Sequence, residues 1–222
     1  YGDFKELIDA DASHTTMPGA PAGTVTEVTR EILAEASALL GGSFSFPVTA
    51  DDAHSPTDHT HARRCVLRAI PVGIATSTQD PEAFADAVWE ACAEGPTTRQ
   101  EFQAAALIAT FISIGLDWPD SRPMDIEGVL WETVNYVASM EQRGSWSAEP
   151  DVLATTRRAA NVVSCQRSMY FSEFTKAFGH PSTPTQIVPF ALAFTLHVLL
   201  GFSPYVARLG GDTTSCSALV AA

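Results

Sequence analysis

The sequence of 222 residues is long enough to bury a full hydrophobic core and short enough to form one domain. Hydrophobic residues make up 45% and charged residues 18%, a composition typical of a globular protein and not of a disordered one. The formal net charge of -13 repels phosphate backbones and the arginine clusters are small, so we predict no nucleic-acid partner.

Cysteine usage and hydropathy bear on the compartment. The four cysteines are far apart and form no C-x-x-C pair, which predicts reduced, mostly buried thiols. Because no charged-then-apolar leader opens the sequence, we expect no secretory signal and a cytoplasmic location. The longest apolar stretch, Ile187 to Phe202, is interrupted by Pro189 and His197 and is shorter than a membrane span. It predicts a core helix and no membrane partner.

The first part of the chain divides into a loop and a helix. Residues 1–23 are polar and punctuated by proline and glycine, which predicts a loop-rich N-terminal segment. From Thr24 an apolar face recurs at helical spacing as far as Leu40, where a glycine pair ends the predicted helix. Thr26 and Glu27 then lie in its first turn, where the helix dipole favours a carboxylate.

A loop with histidines and carboxylates is predicted over residues 43–61. Its end, Asp58-His59-Thr60-His61, is an H-x-H pattern beside a carboxylate, and such a group could bind zinc. No third ligand stands at a recognisable spacing. The alternative, which we prefer, is a solvated loop that leads into a helix.

The rest of the sequence predicts a series of helices. One begins at Asp80-Pro81 and extends to residue 93, because proline fits the first helical position. Thr98 and Glu101 form a capping box before the apolar helix 102–116. The other predicted helices cover residues 63–74 with Pro71 inside, 125–142, 151–164, 168–178 and 185–200.

Helix 185–200 is apolar on all sides, which only an enclosed helix tolerates, so we predict that it is the central buried helix. Strand alternation and fixed-period repeats are absent from the sequence. The predicted fold class is therefore all-α, as a single compact domain over residues 1–222.

Residues 209–222 contain a polar motif at a predicted helix start. Gly210 and Gly211 permit a tight backbone approach, and Asp212 follows at a predicted N-cap position. Thr214 and Ser215 add oxygen atoms to the first turn, which could therefore bind a hard cation or sugar hydroxyls. By itself the pattern is more typical of an ordinary capped helix.

Several stretches fall in the order of motifs of the ADP-ribosylglycohydrolase family. Residues 25–29 (VTEVT) resemble the family's T-D-D-T at a helix start. Residues 67–74 (LRAIPVGI) resemble M-R-x-A-P-x-G-L, and residues 77–81 (STQDP) resemble the T-H-x-D-P that follows it. Residues 185–197 are similar to the family's E-T-V-P-x-A helix, and residues 210–215 (GGDTTS) resemble G-G-D-T-D-T.

The resemblance implies a fold, a chemistry and a set of site residues. The family is all-α, and its usual members bind two magnesium ions and hydrolyse glycosidic bonds of ADP-ribose. A small-molecule nucleotide or ADP-ribosyl substrate is therefore implied, with Asp212 and Glu27 as catalytic residues. The implied metal ligands are Thr26, Glu27, Asp212, Thr214 and Ser215, and the implied substrate-binding residues are Gly210, Gly211, Thr213, Thr78 and Arg68.

Departures from the family pattern limit the metal site. Val28 and Thr214 stand where the family has aspartates, and Thr78 stands where it has a histidine. Of four motif carboxylates only Glu27 and Asp212 remain. Two carboxylates balance one divalent ion, so we expect one Mg²⁺ at most, or none.

Three functions compete. A divergent glycohydrolase would cleave a ribosyl bond through an oxocarbenium-like state that nearby carboxylates stabilise. A non-catalytic relative would bind a nucleotide or have a structural role; the lost carboxylates favour it, and the retained Gly-Gly-Asp turn disfavours it. A plain helical interaction domain is the third. The motif order favours the enzyme.

Overall fold

Six helices make up the part of the chain that the structure describes, a computed structural model of residues 60–93, 95–119, 125–165 and 183–199. They are α1 (Thr60–Ala75), α2 (Pro81–Cys92), α3 (Arg99–Leu116), α4 (Ile126–Ser139), α5 (Val152–Cys165) and α6 (Pro184–Leu199). These ranges contain no strand, only an isolated bridge between Thr98 and Ser145. The all-α prediction is confirmed for the described residues, whereas helices 24–40 and 168–178 lie outside them and stay predictions, as does the single domain.

The predicted helix starts of α2 and α3 are confirmed. Asp80 caps α2, because its carboxylate accepts a hydrogen bond from the Ala83 N–H at 3.1 Å. Thr98 and Glu101 form the capping box of α3. The Glu101 N–H donates to Thr98 Oγ1 at 3.2 Å, and the Thr98 N–H donates to Glu101 Oε2 at 2.6 Å. Pro71 lies inside α1, as the sequence indicates.

Helix α4 ends earlier than the predicted residue 142. Met140 takes an extended backbone, with φ -67° and ψ 153°, so the helix ends at Ser139. The Gln142 side-chain amide then turns back and donates to the carbonyls of Val137 and Met140, at 3.0 and 3.1 Å. These bonds satisfy carbonyls that a helix end otherwise leaves without partners.

Helix α3 is the central helix of the described part. It contacts each of the other five helices, and thirteen of its eighteen residues are buried. Among the described residues, the predicted helix 185–200 therefore does not hold the central position. The reason is side-chain size: Ala104–Ala106 and Ala109 let neighbouring helices approach α3 closely, whereas the sequence prediction rested on apolarity alone.

Helix α6 is the most apolar helix, and its predicted burial is confirmed. From Ile187 to Phe194 every residue is buried, while Gln186 is exposed. It packs against α1, α3, α4 and α5. Even so, none of the described helices has the length and apolarity that crossing a membrane requires.

Helices α1 and α3 run in the same direction. Near their N-terminal ends, His61 Nε2 lies 3.3 Å from Thr97 Oγ1. Near their C-terminal ends, Ser113 Oγ donates to the Thr76 carbonyl at 3.0 Å. Helix α2 connects the two by running back in the opposite direction. Helix α4 also runs antiparallel to α3, because Gln142, just after α4, accepts a hydrogen bond from Gln103 near the start of α3.

Gly73 brings α1 into close contact with α3. A Cβ atom added at Gly73 would lie 2.5 Å from the Ala109 carbonyl oxygen and 3.0 Å from Ile112 Cβ. The nearer contact is with backbone, which cannot move aside as a flexible side chain can. Only a residue without a side chain fits there.

We predict that Gly73→Ala lowers the free energy of unfolding by about 1–3 kcal/mol, because the added methyl group forces the two helices apart. Urea denaturation followed by circular dichroism measures the change. The matched control is Gly115→Ala in α3, where an added Cβ meets nothing within 4 Å. This control is expected to stabilise the protein by up to about 1 kcal/mol, through the helix propensity of alanine. Equal stability of both variants would contradict the close packing.

Candidate functional site

Two predicted site residues, Arg68 and Thr78, lie in the described part of the chain. The remaining predicted residues lie outside it and stay predictions: Thr26, Glu27, Gly210, Gly211, Asp212, Thr213, Thr214 and Ser215. The geometry therefore bears on the substrate-binding prediction and not on the catalytic pair or the metal ligands.

Arg68 lies in α1 between the buried residues Leu67 and Ala69. Its own side chain is partly buried and has an interaction partner. Thr78 lies beyond the end of α1, whereas Arg68 is about two turns, or about 10 Å, before that end. The structure therefore places the two backbones at different levels along α1 and the turn that follows it.

Thr78 belongs to a turn over residues 76–80 that joins α1 to α2, which we call the 76–80 turn. Helix α3 fixes its start, because Ser113 Oγ donates to the Thr76 carbonyl at 3.0 Å. The Ser77 hydroxyl donates to Asp117 Oδ2 at 3.2 Å and accepts from the Gln79 N–H at 3.3 Å. The Thr78 side chain is partly exposed, and its hydroxyl makes no hydrogen bond to the described residues.

Tyr136 of α4 fixes the middle of the 76–80 turn. Its hydroxyl donates to the Thr78 carbonyl at 3.0 Å, and its ring packs edge-on against Phe84 with centroids 5.9 Å apart. Burial raises the pKa of Tyr136 above its usual value of 10.0, and the negative charge of Asp80 raises that pKa further. The phenol therefore stays protonated and keeps donating to the turn at neutral pH.

We predict that Tyr136→Phe destabilises the protein by about 1 kcal/mol at pH 7, through loss of the hydrogen bond to Thr78. The pH dependence has a definite sign. Because the pKa of Tyr136 is higher in the folded state than in the unfolded state, Tyr136 ionises first in the unfolded chain as the pH rises above about 10. Its ionisation there favours unfolding and so lowers the stability of the wild type. The stability difference between the two proteins should therefore shrink above pH 10, as urea titrations at pH 7 and pH 10.5 would measure. A constant difference would contradict the shifted pKa.

Of the two histidines in the predicted zinc site, His61 lies in the described part of the chain and His59 lies outside it. Thr97 Oγ1 donates to the Cys92 carbonyl at 2.7 Å, and His61 Nε2 lies 3.3 Å from the same hydroxyl oxygen. The other nitrogen, Nδ1, lies against Gly95, where an added Cβ would be 3.1 Å away. His61 is thus part of a hydrogen-bond network that joins the ends of three helices.

Cys65 extends this network at the helical i, i+4 spacing from His61. Its sulfur lies 3.5 Å from His61 Nε2 and 3.9 Å from the Cys92 carbonyl. Cys65 and Cys92 are buried, as predicted, whereas Cys165 is exposed. Within the described ranges, no group of three or more His, Cys, Asp or Glu residues is arranged to hold a metal ion.

Several residues that position the 76–80 turn were not identified from the sequence. Tyr136 is separated from Thr78 by 58 positions, and no local pattern marks such a pair. Ser113, in α3, and Asp117, just after it, are four positions apart and so share one side of the helix end. This polar pair at the end of an apolar helix was a signal in the sequence that could have identified them. Away from this turn, Trp146 was not identified either, although it is large, apolar and exposed.

The chain matches no protein-family model, and neither a curated protein nor a solved structure is significantly similar to it.

Proposed function

We propose that the chain is a divergent glycohydrolase of the ADP-ribosylglycohydrolase type that cleaves a ribosyl glycosidic bond in an ADP-ribosyl compound or a related nucleotide. The order of the resembling stretches supports this. The observation that carries it is the 76–80 turn. Two consecutive stretches, 67–74 and 77–81, form one helix–turn–helix unit that presents the Thr78 hydroxyl from a backbone fixed by α3 and α4.

Local charge indicates which part of such a substrate Thr78 would contact. Asp80 and Asp117 are exposed near Thr78, since Asp80 follows it by two residues and Asp117 accepts a hydrogen bond from the neighbouring Ser77. Their carboxylates repel a pyrophosphate but can accept hydrogen bonds from sugar hydroxyls. Thr78 therefore fits a ribose hydroxyl better than a phosphate group.

The proposed chemistry depends on the two remaining motif carboxylates. A ribosyl bond breaks through an oxocarbenium-like state, and a carboxylate close to that positive charge stabilises it or activates the attacking water. We assign these roles to Asp212 and Glu27. A single Mg²⁺ bound between them would align the ribose hydroxyls and the water, with Thr26, Thr214 and Ser215 as neutral oxygen ligands.

The variant Asp212→Asn tests whether Asp212 contributes to function more than to stability. Asparagine caps a helix about as well as aspartate, so we expect the free energy of unfolding to fall by about 1 kcal/mol at most, from the lost charge at the helix N-terminus. ADP-ribose affinity and hydrolysis should fall much further, because a neutral amide cannot support a cation or developing positive charge. Melting temperature, ADP-ribose binding and the ADP-ribose released from an ADP-ribosyl compound are measured together.

The matched control is Asp125→Asn. Asp125 caps α4, since its carboxylate accepts from the Gly128 N–H at 3.0 Å, but it lies outside the proposed site. This variant should lose similar stability and keep full binding and turnover. An Asp212→Asn protein that binds and turns over like the wild type would remove Asp212 from the site.

The metal content is a further prediction. Two carboxylates balance the charge of one divalent ion, so we expect at most one weakly bound Mg²⁺ per chain. Equilibrium dialysis against Mg²⁺, followed by elemental analysis, measures the stoichiometry for the wild type and for Asp212→Asn. Two tightly bound ions per chain would contradict the charge argument.

One observation favours a second candidate, a non-catalytic nucleotide-binding relative. Thr78 stands where the family has a histidine, and a threonine hydroxyl does not exchange protons near neutral pH as an imidazole does. Under this alternative, ADP-ribose raises the melting temperature and no ribose product is released. The two assays in parallel therefore distinguish the enzyme from the binding protein.

A further inference from the structure

Trp146, in the connection between α4 and α5, is the most exposed large apolar side chain of the described residues. It is 81% exposed, compared with 63% for Ile74 and 62% for Leu116. The latter two lie at the C-terminal ends of α1 and α3. Trp146 instead lies near the N-terminal end of α3, because Ser145 pairs with Thr98 there.

The backbone before Trp146 is fixed to the start of α3. The Ser145 N–H donates to the Thr97 carbonyl at 3.0 Å, and the Arg99 N–H donates to the Ser145 carbonyl at 2.8 Å. Gly144 makes this approach possible. It has φ +98°, and an added Cβ would lie 2.7 Å from the Thr98 carbonyl carbon.

The backbone after Trp146 is fixed by Gln100, which is only 8% exposed. Its side-chain amide donates to the carbonyls of Ser147 and Glu149, at 3.2 and 3.3 Å. The chain is thus held on both sides of an exposed indole. A partner that binds Trp146 would not have to order the loop, which removes one of the usual entropic costs of association.

The charge around Trp146 is negative. Glu141, Glu149 and Asp151 are exposed in the same connection. Its arginine, Arg143, forms ion pairs with Asp86 at 2.7 Å and with Glu141 at 3.9 Å, so the carboxylates left for a partner are Glu149 and Asp151. The exposed Arg99 adds one positive charge at the start of α3, so the carboxylates outnumber it. The net charge of -13 extends this field over the whole protein.

We propose that Trp146 and these carboxylates form a docking surface for a basic peptide segment of a partner protein. An arginine or lysine of that segment would stack on the indole as a cation–π pair, and neighbouring basic residues would pair with Glu149 and Asp151. Tryptophan is enriched among the residues that dominate protein interfaces.

A capped, labelled hexa-arginine peptide tests the proposal by fluorescence anisotropy, with hexa-glutamine and hexa-glutamate peptides as controls. We expect the arginine peptide to bind and the controls not to bind, with affinity that falls as salt rises. Trp146→Ala should weaken binding of the arginine peptide about tenfold, while circular dichroism stays unchanged because the side chain is exposed. Leu116→Ala removes another exposed apolar side chain and should leave the affinity unchanged.

Three outcomes would overturn the proposal. Equal binding of hexa-arginine to the wild type and Trp146→Ala would show that general charge attraction, and not the indole, accounts for the binding. Equal binding of hexa-glutamine would indicate a surface for neutral partners. Self-association that Trp146→Ala abolishes in sedimentation would assign the surface to a second copy of this chain.

Discussion

Backbone contact between α1 and α3 at Gly73 determines where the neighbouring elements can lie. With a Cβ position only 2.5 Å from the Ala109 carbonyl, the two helices lie closer together than helices that carry larger side chains at the interface. This approach brings Thr76 within reach of Ser113 and so fixes the start of the 76–80 turn. It also explains why α3, rich in alanine, is the central helix although α6 is more apolar.

Local signals in the sequence were enough to predict the six helices of the described residues and several of their start points. The caps at Asp80 and Thr98 depend on residues three positions away, so a short stretch contains all the information. The early end of α4 was not predictable in this way. It depends on Gln142 satisfying the helix end and on Gln103, 39 positions away, donating to the same side chain. Apolarity likewise could not rank the helices by position, because small residues decide how closely helices pack.

In the candidate site, too, local signals were visible in the sequence and contacts between distant residues were not. Arg68 and Thr78 could be singled out because they fall in motif-like stretches, and the structure places both near the same helix and turn. What the sequence could not indicate is the role of Tyr136 in fixing the turn. That role depends on packing between elements that are distant in the sequence. The histidine network at His61 shows the converse case, since an i, i+4 spacing to Cys65 is visible without a structure.

In the connection between α4 and α5, the exposure of the side chains differs from the accessibility of the backbone. Its side chains face solvent, but its amides and carbonyls from Ser145 to Glu149 are bound to α3 at several points. Proteases cleave backbone that can leave the fold locally, and local opening here requires breaking contacts with the central helix. A protease that recognises Trp146 would therefore meet an accessible side chain on a peptide bond that resists cleavage, and nicking would begin elsewhere on the surface.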